Sequence, residues 1–316
     1  VDFPNVDVFD LEARLGERLP GGGHRGVEHQ RGIITLVDVA IHASARLQAM
    51  PFCIFLAGNK DGACAIDNMY VREYITPDVT EPMLTSSDSR LDRLFAAGVK
   101  TFKDNTVDLF MDCPSRERGP WLCDSFFTAR ACKDLTGHTL YEKNQFENYL
   151  LPETFDEYLP DGMIPMCYPS DVFRKNGFIP NWALWFILQL EEYATRSGDR
   201  AMVDALRPRV EGIIDYFKPF KNSDGLLEKL DGWVFVDWYA GNSFGSDPDY
   251  PCVNYPTNML FAATLDCVNR LYNVPELAIE AGAMRHTIRA QSFDGEFFVD
   301  NALRRNGKLE ITQNRT

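Results

Sequence analysis

Residues 182–190, "WALWFILQL", constrain the fold more than any other stretch, because Gln189 is the one polar residue among them. A helix that is apolar on every side has to be buried on every side. Such a helix needs a shell of other elements around it. The segment that follows, 200–218, is of a different kind. It carries Met202, Leu206, Val210, Ile213 and Phe217 on one stripe, with charge opposite, as a helix with one wet face does. Amphipathic helices alternating with all-apolar ones suit two concentric layers, outer helices shielding inner ones. The expected fold class is therefore mainly α, part of an α/α toroid.

The same periodicity extends the helical region. From about residue 88 the stretch "SSDSRLDRLFAAGVKTFKDNTVDLF" carries Ser and Asp caps and then Leu91, Leu94, Phe95, Val99 and Phe102 on one face. Further helices are predicted over 125–136, 140–158, 181–197, 257–272 and 275–291. No repeat is visible at the level of identity. Residues 1–75 differ. Short apolar runs ("GIITLVDVAI", "FCIFLAG", "CAIDNMYVREYI") alternate with Gly, Asn and Pro signals, which read as the end of a β-domain. Residues 14–31 are polar and Gly-rich and read as a loop. The division expected is 1–78, the C-terminal part of a β-sandwich, and 79–316, the N-terminal part of a helical catalytic domain. The opening "VDFPNVDVFDL" and the closing "LEITQNRT" read as cuts through strands, so a fragment of a longer protein is expected.

Composition excludes some partners. The net charge of −14 over 316 residues argues against nucleic acid and anionic membrane surfaces, which need clustered Lys and Arg. No apolar run reaches the roughly 18 residues of a spanning helix. The eight cysteines form no C-x-x-C pair, and several sit in apolar contexts ("PFCIF", "LDCVNRL") where Cys acts as a small buried hydrophobe. No zinc site is expected, and reduced thiols in a cytoplasmic setting are favoured.

Chemistry concentrates in three long loops, 111–124, 159–181 and 224–256. Loops of this length without structure of their own are usually functional. Together they hold Trp121, Tyr168, Trp233, Trp238, Tyr239, Tyr250 and Tyr255 among Asp and Glu residues. Aromatic faces with carboxylates suit sugars, whose CH faces stack on rings and whose hydroxyls donate to acids. The densest stretch is "MDCPSRERGPWLCDSF", with Asp112, Glu117 and Asp124 in thirteen positions. Pro114 and Gly119-Pro120 keep it out of regular helix. Each acid has an ordinary explanation: Asp124 as a helix cap, Glu117 paired with Arg116 or Arg118, Asp112 as a turn residue. Jointly they suit glycosidic cleavage, which needs two carboxyl groups on opposite sides of the bond, one of them a proton donor. Trp121 would be the apolar wall that keeps a carboxyl protonated.

"DCPSRERGPWLCD" resembles the signature of glycoside hydrolase family 78, the α-L-rhamnosidases. The resemblance covers most of residues 55–316, with "PNWALW", "FVDW" and "NYPTNML" as weaker supports. It implies β-sandwich domains ahead of an (α/α)6 barrel, no cofactor and no metal, and a rhamnose-containing oligosaccharide or glycoside as partner. Position by position it implies Glu117 as general acid, Asp112 and Asp124 on the rhamnose hydroxyls, Arg116 and Trp121 in the pocket, and Trp182, Asp237 and Trp238 as sugar contacts. The stretch departs from the pattern at Pro120, where many members have Gly, at the adjacent Arg116 and Glu117, and at Cys123. Members of the family invert, so a second carboxylate should activate water roughly 6.5–9.5 Å from the acid. That base is expected beyond residue 316, since seven helices cannot close a toroid of twelve; Glu228, Asp231 and Asp237 are the local substitutes. Another α/α-toroid glycosidase, a polysaccharide lyase, or a non-catalytic carbohydrate-binding remnant are the alternatives.

Overall fold

The computed structural model describes Val79 and residues 84–114, 116–155, 159–170, 178–238 and 253–311, together with the backbone of five short strands elsewhere. Four of those strands come first: β1 (Asp10–Glu17), β2 (Ile34–Thr35), β3 (Leu56–Ala57) and β4 (Cys64–Arg72). β1 pairs antiparallel with β4, with a register shift between Arg14 and Leu15, and β2 pairs with β3. Residues 14–17 thus belong to a strand, a correction to the loop expected from 14: ladder partners 47 or more positions away outweigh the local polarity. The rest of that loop, and the sandwich as a whole, lie outside the described residues.

Seven α-helices follow among the described residues: α1 (Ser89–Asp104), α2 (Leu122–Thr136), α3 (Leu140–Leu150), α4 (Pro180–Ser197), α5 (Arg200–Phe217), α6 (Tyr255–Tyr272) and α7 (Pro275–Ser292). Local chemistry sets most of their ends. The Asp88, Asp199 and Asn254 side chains accept from N–H groups of the first turns of α1, α5 and α6, satisfying donors that a helix start leaves open. Pro180, Pro256 and Pro275 stand in the first turns of α4, α6 and α7, where a missing N–H costs nothing. Gly137 and Gly198 end α2 and α4 in left-handed conformations. α3 stops at Leu150 and not at 158, because Pro152 cannot continue it.

α4 packs against α2 on one side, α6 on another and α5 behind, and α7 packs on α6. α2, α4 and α6 therefore make an inner row, with α1, α5 and α7 outside it. The expectation from "WALWFILQL" holds for most of the segment: Leu184, Phe186, Ile187 and Leu190 have no accessible surface, while Trp185 and Leu188 are half-buried. All five stripe residues of α5 are buried too, while Arg200–Asp204 and Arg207–Glu211 pair along its wet face. The stripe of α1 is covered only in part. Val99 and Phe102 are buried, but Leu91 and Leu94 are exposed. Three small ladders complete the described structure: β5 (Val234–Phe235) with β6 (Ser243–Phe244), and β7 (Val253–Asn254) with β8 (Asn301–Arg305), which pairs in turn with β9 (Lys308–Ile311).

One close approach ties the loop after α3 to the outer helix α5. Gly162 (φ +84°) lies directly over the Gly212 carbonyl, where a Cβ would overlap the carbonyl oxygen. Gly162→Ala is expected to destabilise the fold by at least about 1–2 kcal/mol from the left-handed backbone alone, read as a lower urea midpoint. An unchanged midpoint would show that the loop moves freely away from α5.

Candidate active site

The acid loop is closed by two nested staples. In the outer one the Asp112 N–H donates to the Gly119 carbonyl at 3.0 Å, and the Gly119 N–H donates to Asp112 Oδ1 at 2.9 Å. In the inner one the Glu117 N–H donates to Cys113 Sγ at 3.2 Å. Arg118 between them has φ +52°, a left-handed turn by a non-glycine residue. Asp112 is therefore a turn residue in part, with one oxygen engaged by the loop itself. Glu117 is partly buried, and its Oε1 lies 2.5 Å from Nη2 of the exposed Arg116.

Asp124 does not cap α2. Trp121 takes that position without a side-chain cap bond, and Asp124 stands in the first turn. A carboxylate suits that place electrostatically. Although the residue as a whole is exposed, its carboxyl is crowded by protein. Loss of water pushes it up to about 6, and the charges of Asp112 and Glu117 add to the rise. The same three acids bear on the Cys167 thiol, which burial pushes up to about 12. Asp112, Glu117 and Asp124 thus share one neighbourhood, despite the Gly-Pro break between them.

The loop 159–170 forms the other side of that neighbourhood. Cys167 pairs with Trp121 in an isolated β-bridge, and the Leu122 N–H donates to the Met166 carbonyl at 3.1 Å. A Cβ on Gly119 would come within 2.7 Å of Cys167 Sγ and 3.2 Å of Trp121 Nε1. Only glycine lets the acid loop lie this close to the ring and the thiol. Trp121 is buried, so its ring is packed and is not a free platform.

The remaining predicted contacts form a second group. Trp182 meets Phe235 edge-on at 5.2 Å, and Phe235 meets Trp238 at 5.0 Å. Trp182 is 6% exposed and Trp238 is 80% exposed, so the series of rings runs from the core to the surface. Asp237 is exposed beside Trp238. Trp121, Cys167, Trp182 and Phe235 all belong to one hydrophobic core, and both groups stand on it. Of the local substitutes for the base, Glu228 is largely buried and held by Arg304 at 3.0 Å and Asn222 at 2.7 Å. A pocket of about 520 Å³ opens elsewhere, where Asp161 and Gly162 meet Tyr216 and Phe220 at the end of α5, and none of the predicted site residues lines it.

Cys113, Cys167 and Phe235 carry site geometry that the sequence did not single out. A thiol accepting an N–H four residues on leaves no compositional trace, and the Trp121–Cys167 pairing spans 46 positions. Among the described residues no group of three or more His, Cys, Asp or Glu side chains is placed to hold a metal ion, and no helix is long and apolar enough to cross a membrane.

Comparison with known proteins gives the lineage. A GH78 rhamnosidase of Bacillus sp. GL1 superposes with a TM-score of 0.60 at 23% identity, over 75% of this chain and 24% of that one. A rhamnosidase from Klebsiella oxytoca with rhamnose bound gives 0.55 at 20% identity, over 78% of this chain and 47% of that one. The α-L-rhamnosidase from Dictyoglumus thermophilum gives 0.50 at 12% identity, over 73% and 26%. The chain thus spans about a quarter to a half of the length of these solved structures, and at such identities they show a shared fold. No curated protein matches. The family model of the bacterial alpha-L-rhamnosidase 6 hairpin glycosidase domain matches residues 81–286, about two thirds of the chain, so the chain belongs to that family.

Proposed function

We propose that this chain carries the acid side of an α-L-rhamnosidase that releases terminal rhamnose from rhamnosides with inversion. The observation behind the reading is the electrostatic neighbourhood that Asp112, Glu117 and Asp124 share, on the loop that runs into the buried Trp121, in a chain of the rhamnosidase family. Glu117 protonates the glycosidic oxygen as the bond breaks. Asp124, and the oxygen of Asp112 that Gly119 does not engage, accept from rhamnose hydroxyls. Arg116 orients Glu117 through their ion pair. Trp238, being exposed, offers a ring face to the substrate, with Asp237 beside it. Trp182 acts from behind, through Phe235. A water activated by a second carboxylate attacks the anomeric carbon from the opposite face. Glu228 is a poor candidate for that carboxylate, since Arg304 and Asn222 hold it. No cofactor takes part in these steps. The division near residue 78, a sandwich before and a toroid after, belongs to the same reading.

The test uses the protein as its gene encodes it. An aryl α-L-rhamnoside should be hydrolysed, and NMR at early times should show β-rhamnose as the first product. Turnover of other aryl glycosides but not the rhamnoside would overturn the substrate, and α-rhamnose formed first would overturn inversion.

A second reading has one observation behind it. The Asp124 carboxyl, at about 6, is in the range useful to a proton donor near neutral pH, so Asp124 could take the acid role from Glu117. The two readings separate in pH dependence. If Asp124 binds hydroxyls as an acceptor, rhamnose affinity should rise as pH increases through about 6 and the carboxyl gains its charge. Asp124→Asn should abolish that step, as followed by tryptophan fluorescence. An affinity that falls through the same range would count against the acceptor role.

A further inference from the structure

We propose that Cys113 is a positioning residue for Glu117. Its thiol sulfur holds the backbone N–H of the acid and so sets where the carboxyl points. The inference rests on the reading of Glu117 as the proton donor. It starts from a geometric problem. Glu117 sits in a loop that Pro114 and Pro120 keep from regular structure and that turns through a left-handed Arg118. Nothing helical fixes the backbone there. The outer staple, Asp112 with Gly119, fixes only the ends of the loop. Between those ends, the 3.2 Å bond from the Glu117 N–H to Cys113 Sγ holds the backbone at Glu117 itself.

The electrostatic setting makes that bond matter. Asp112, Glu117 and Asp124 crowd one neighbourhood, and like charges push a flexible glutamate away from its neighbours. Arg116 opposes this through the Glu117 side chain, but it is 79% exposed, and a pair so exposed holds only weakly by itself. The sulfur acts on the backbone of Glu117, so rotation of the Glu117 side chain does not undo it. Sulfur is a weak acceptor, so the expected contribution is modest. It should act on one step only, the delivery of the proton, because a donor displaced by even a fraction of an ångström loses efficiency.

Cys113→Ala and Cys113→Ser are measured in the protein as its gene encodes it, on a natural rhamnoside and on an aryl rhamnoside whose phenol leaves without protonation. Cys113→Ala should lower kcat/KM on the natural substrate about 3- to 10-fold, the range expected for one lost hydrogen bond. It should lower the activated substrate less than twofold. Cys113→Ser keeps an acceptor with a shorter reach, so its ratio of the two losses should fall between Cys113→Ala and the unsubstituted protein. A merely structural role would move both substrates together; equal losses, or none, overturn the proposal. If Cys113→Ala does not fold, the Cys113→Ser ratio decides by itself, and an unchanged ratio overturns the proposal. Glu117→Gln in the same assay separates the two ideas. Equal losses for Glu117→Gln would remove the donor reading itself. A leaving-group-dependent loss for Glu117→Gln with an unchanged ratio for Cys113→Ala would remove only the role of the sulfur.

Discussion

Glu117→Gln is expected to lower hydrolysis of a natural rhamnoside by a factor near the top of the ~10²–10⁴ range of general acid catalysis, and that of an activated aryl rhamnoside far less. Gln keeps the shape and the hydrogen-bonding capacity of Glu but has no proton to transfer. Help to the leaving group matters most when the leaving group is poor. A natural aglycone leaves as an alkoxide unless it is protonated, whereas a nitrophenolate needs no such help. Asp112→Asn and Asp124→Asn should hurt both substrates alike, because those residues hold the sugar and not the departing oxygen. Asp112→Asn carries an added cost, since Oδ1 also accepts the Gly119 N–H that closes the loop. The measurement is kcat/KM for three variants on two substrates. Equal losses for Glu117→Gln on both would remove it from the acid role, and a leaving-group-dependent loss for Asp124→Asn would transfer that role to Asp124.

The largest expected effect on stability lies beneath the site. Glu142 on α3 has a side chain 1% exposed, and Arg196 on α4 reaches it at 2.6 Å. Gln189 also donates to Glu142, at 3.4 Å, and accepts from Ser125, the residue after Asp124. Burial holds the Glu142 carboxyl above the usual range even though Arg196 and Gln189 act against it. The charged form is therefore under-compensated as it stands. Arg196→Met should destabilise the protein by about 3–5 kcal/mol, the cost of leaving a buried charge without its partner. The loss depends on pH. A carboxyl raised in the fold stabilises fully below its unfolded value of roughly 4.3 and loses that contribution as pH rises through the folded value. With Arg196 gone the folded value rises further, so the deficit should be smaller at pH 5 than at pH 8 by urea denaturation. Adding Glu142→Leu should recover most of it, since an apolar pair of similar volume is often neutral or better. A single variant as stable as the parent at pH 8 would mean that water reaches Glu142.

The candidate acids stand out in the sequence because they lie within thirteen consecutive positions around a Gly-Pro break. In so short a span the chain itself limits how far apart the carboxyls can go. The ordinary explanations fared unevenly. The Arg116–Glu117 pair is real, and Asp112 does close a turn. The cap of α2 is not Asp124, because Trp121, held through its β-bridge to Cys167, takes the place where the helix begins. Glu228, a candidate base by sequence, turns out to be held by Arg304, 76 positions away.

By itself the sequence determined the helical layers. The stripe of α5, the all-apolar α4, and the Asp, Asn, Pro and Gly signals at helix ends are patterns of residues within a few positions of one another, which a sequence displays directly. The local signal at Pro152 likewise ends α3. The tertiary structure decided what periodicity cannot express. It left Leu91 and Leu94 of α1 exposed while burying Val99 and Phe102 of the same stripe, because the width of a covered face depends on the neighbour that covers it. It set Trp182 inside and Trp238 outside along one series of rings, and it placed Cys167 against Gly119 and Trp121. The Trp182–Phe235, Gly119–Cys167 and Trp121–Cys167 contacts join residues 46 to 53 positions apart. Their geometry follows from how the helices pack, and no local pattern carries that information.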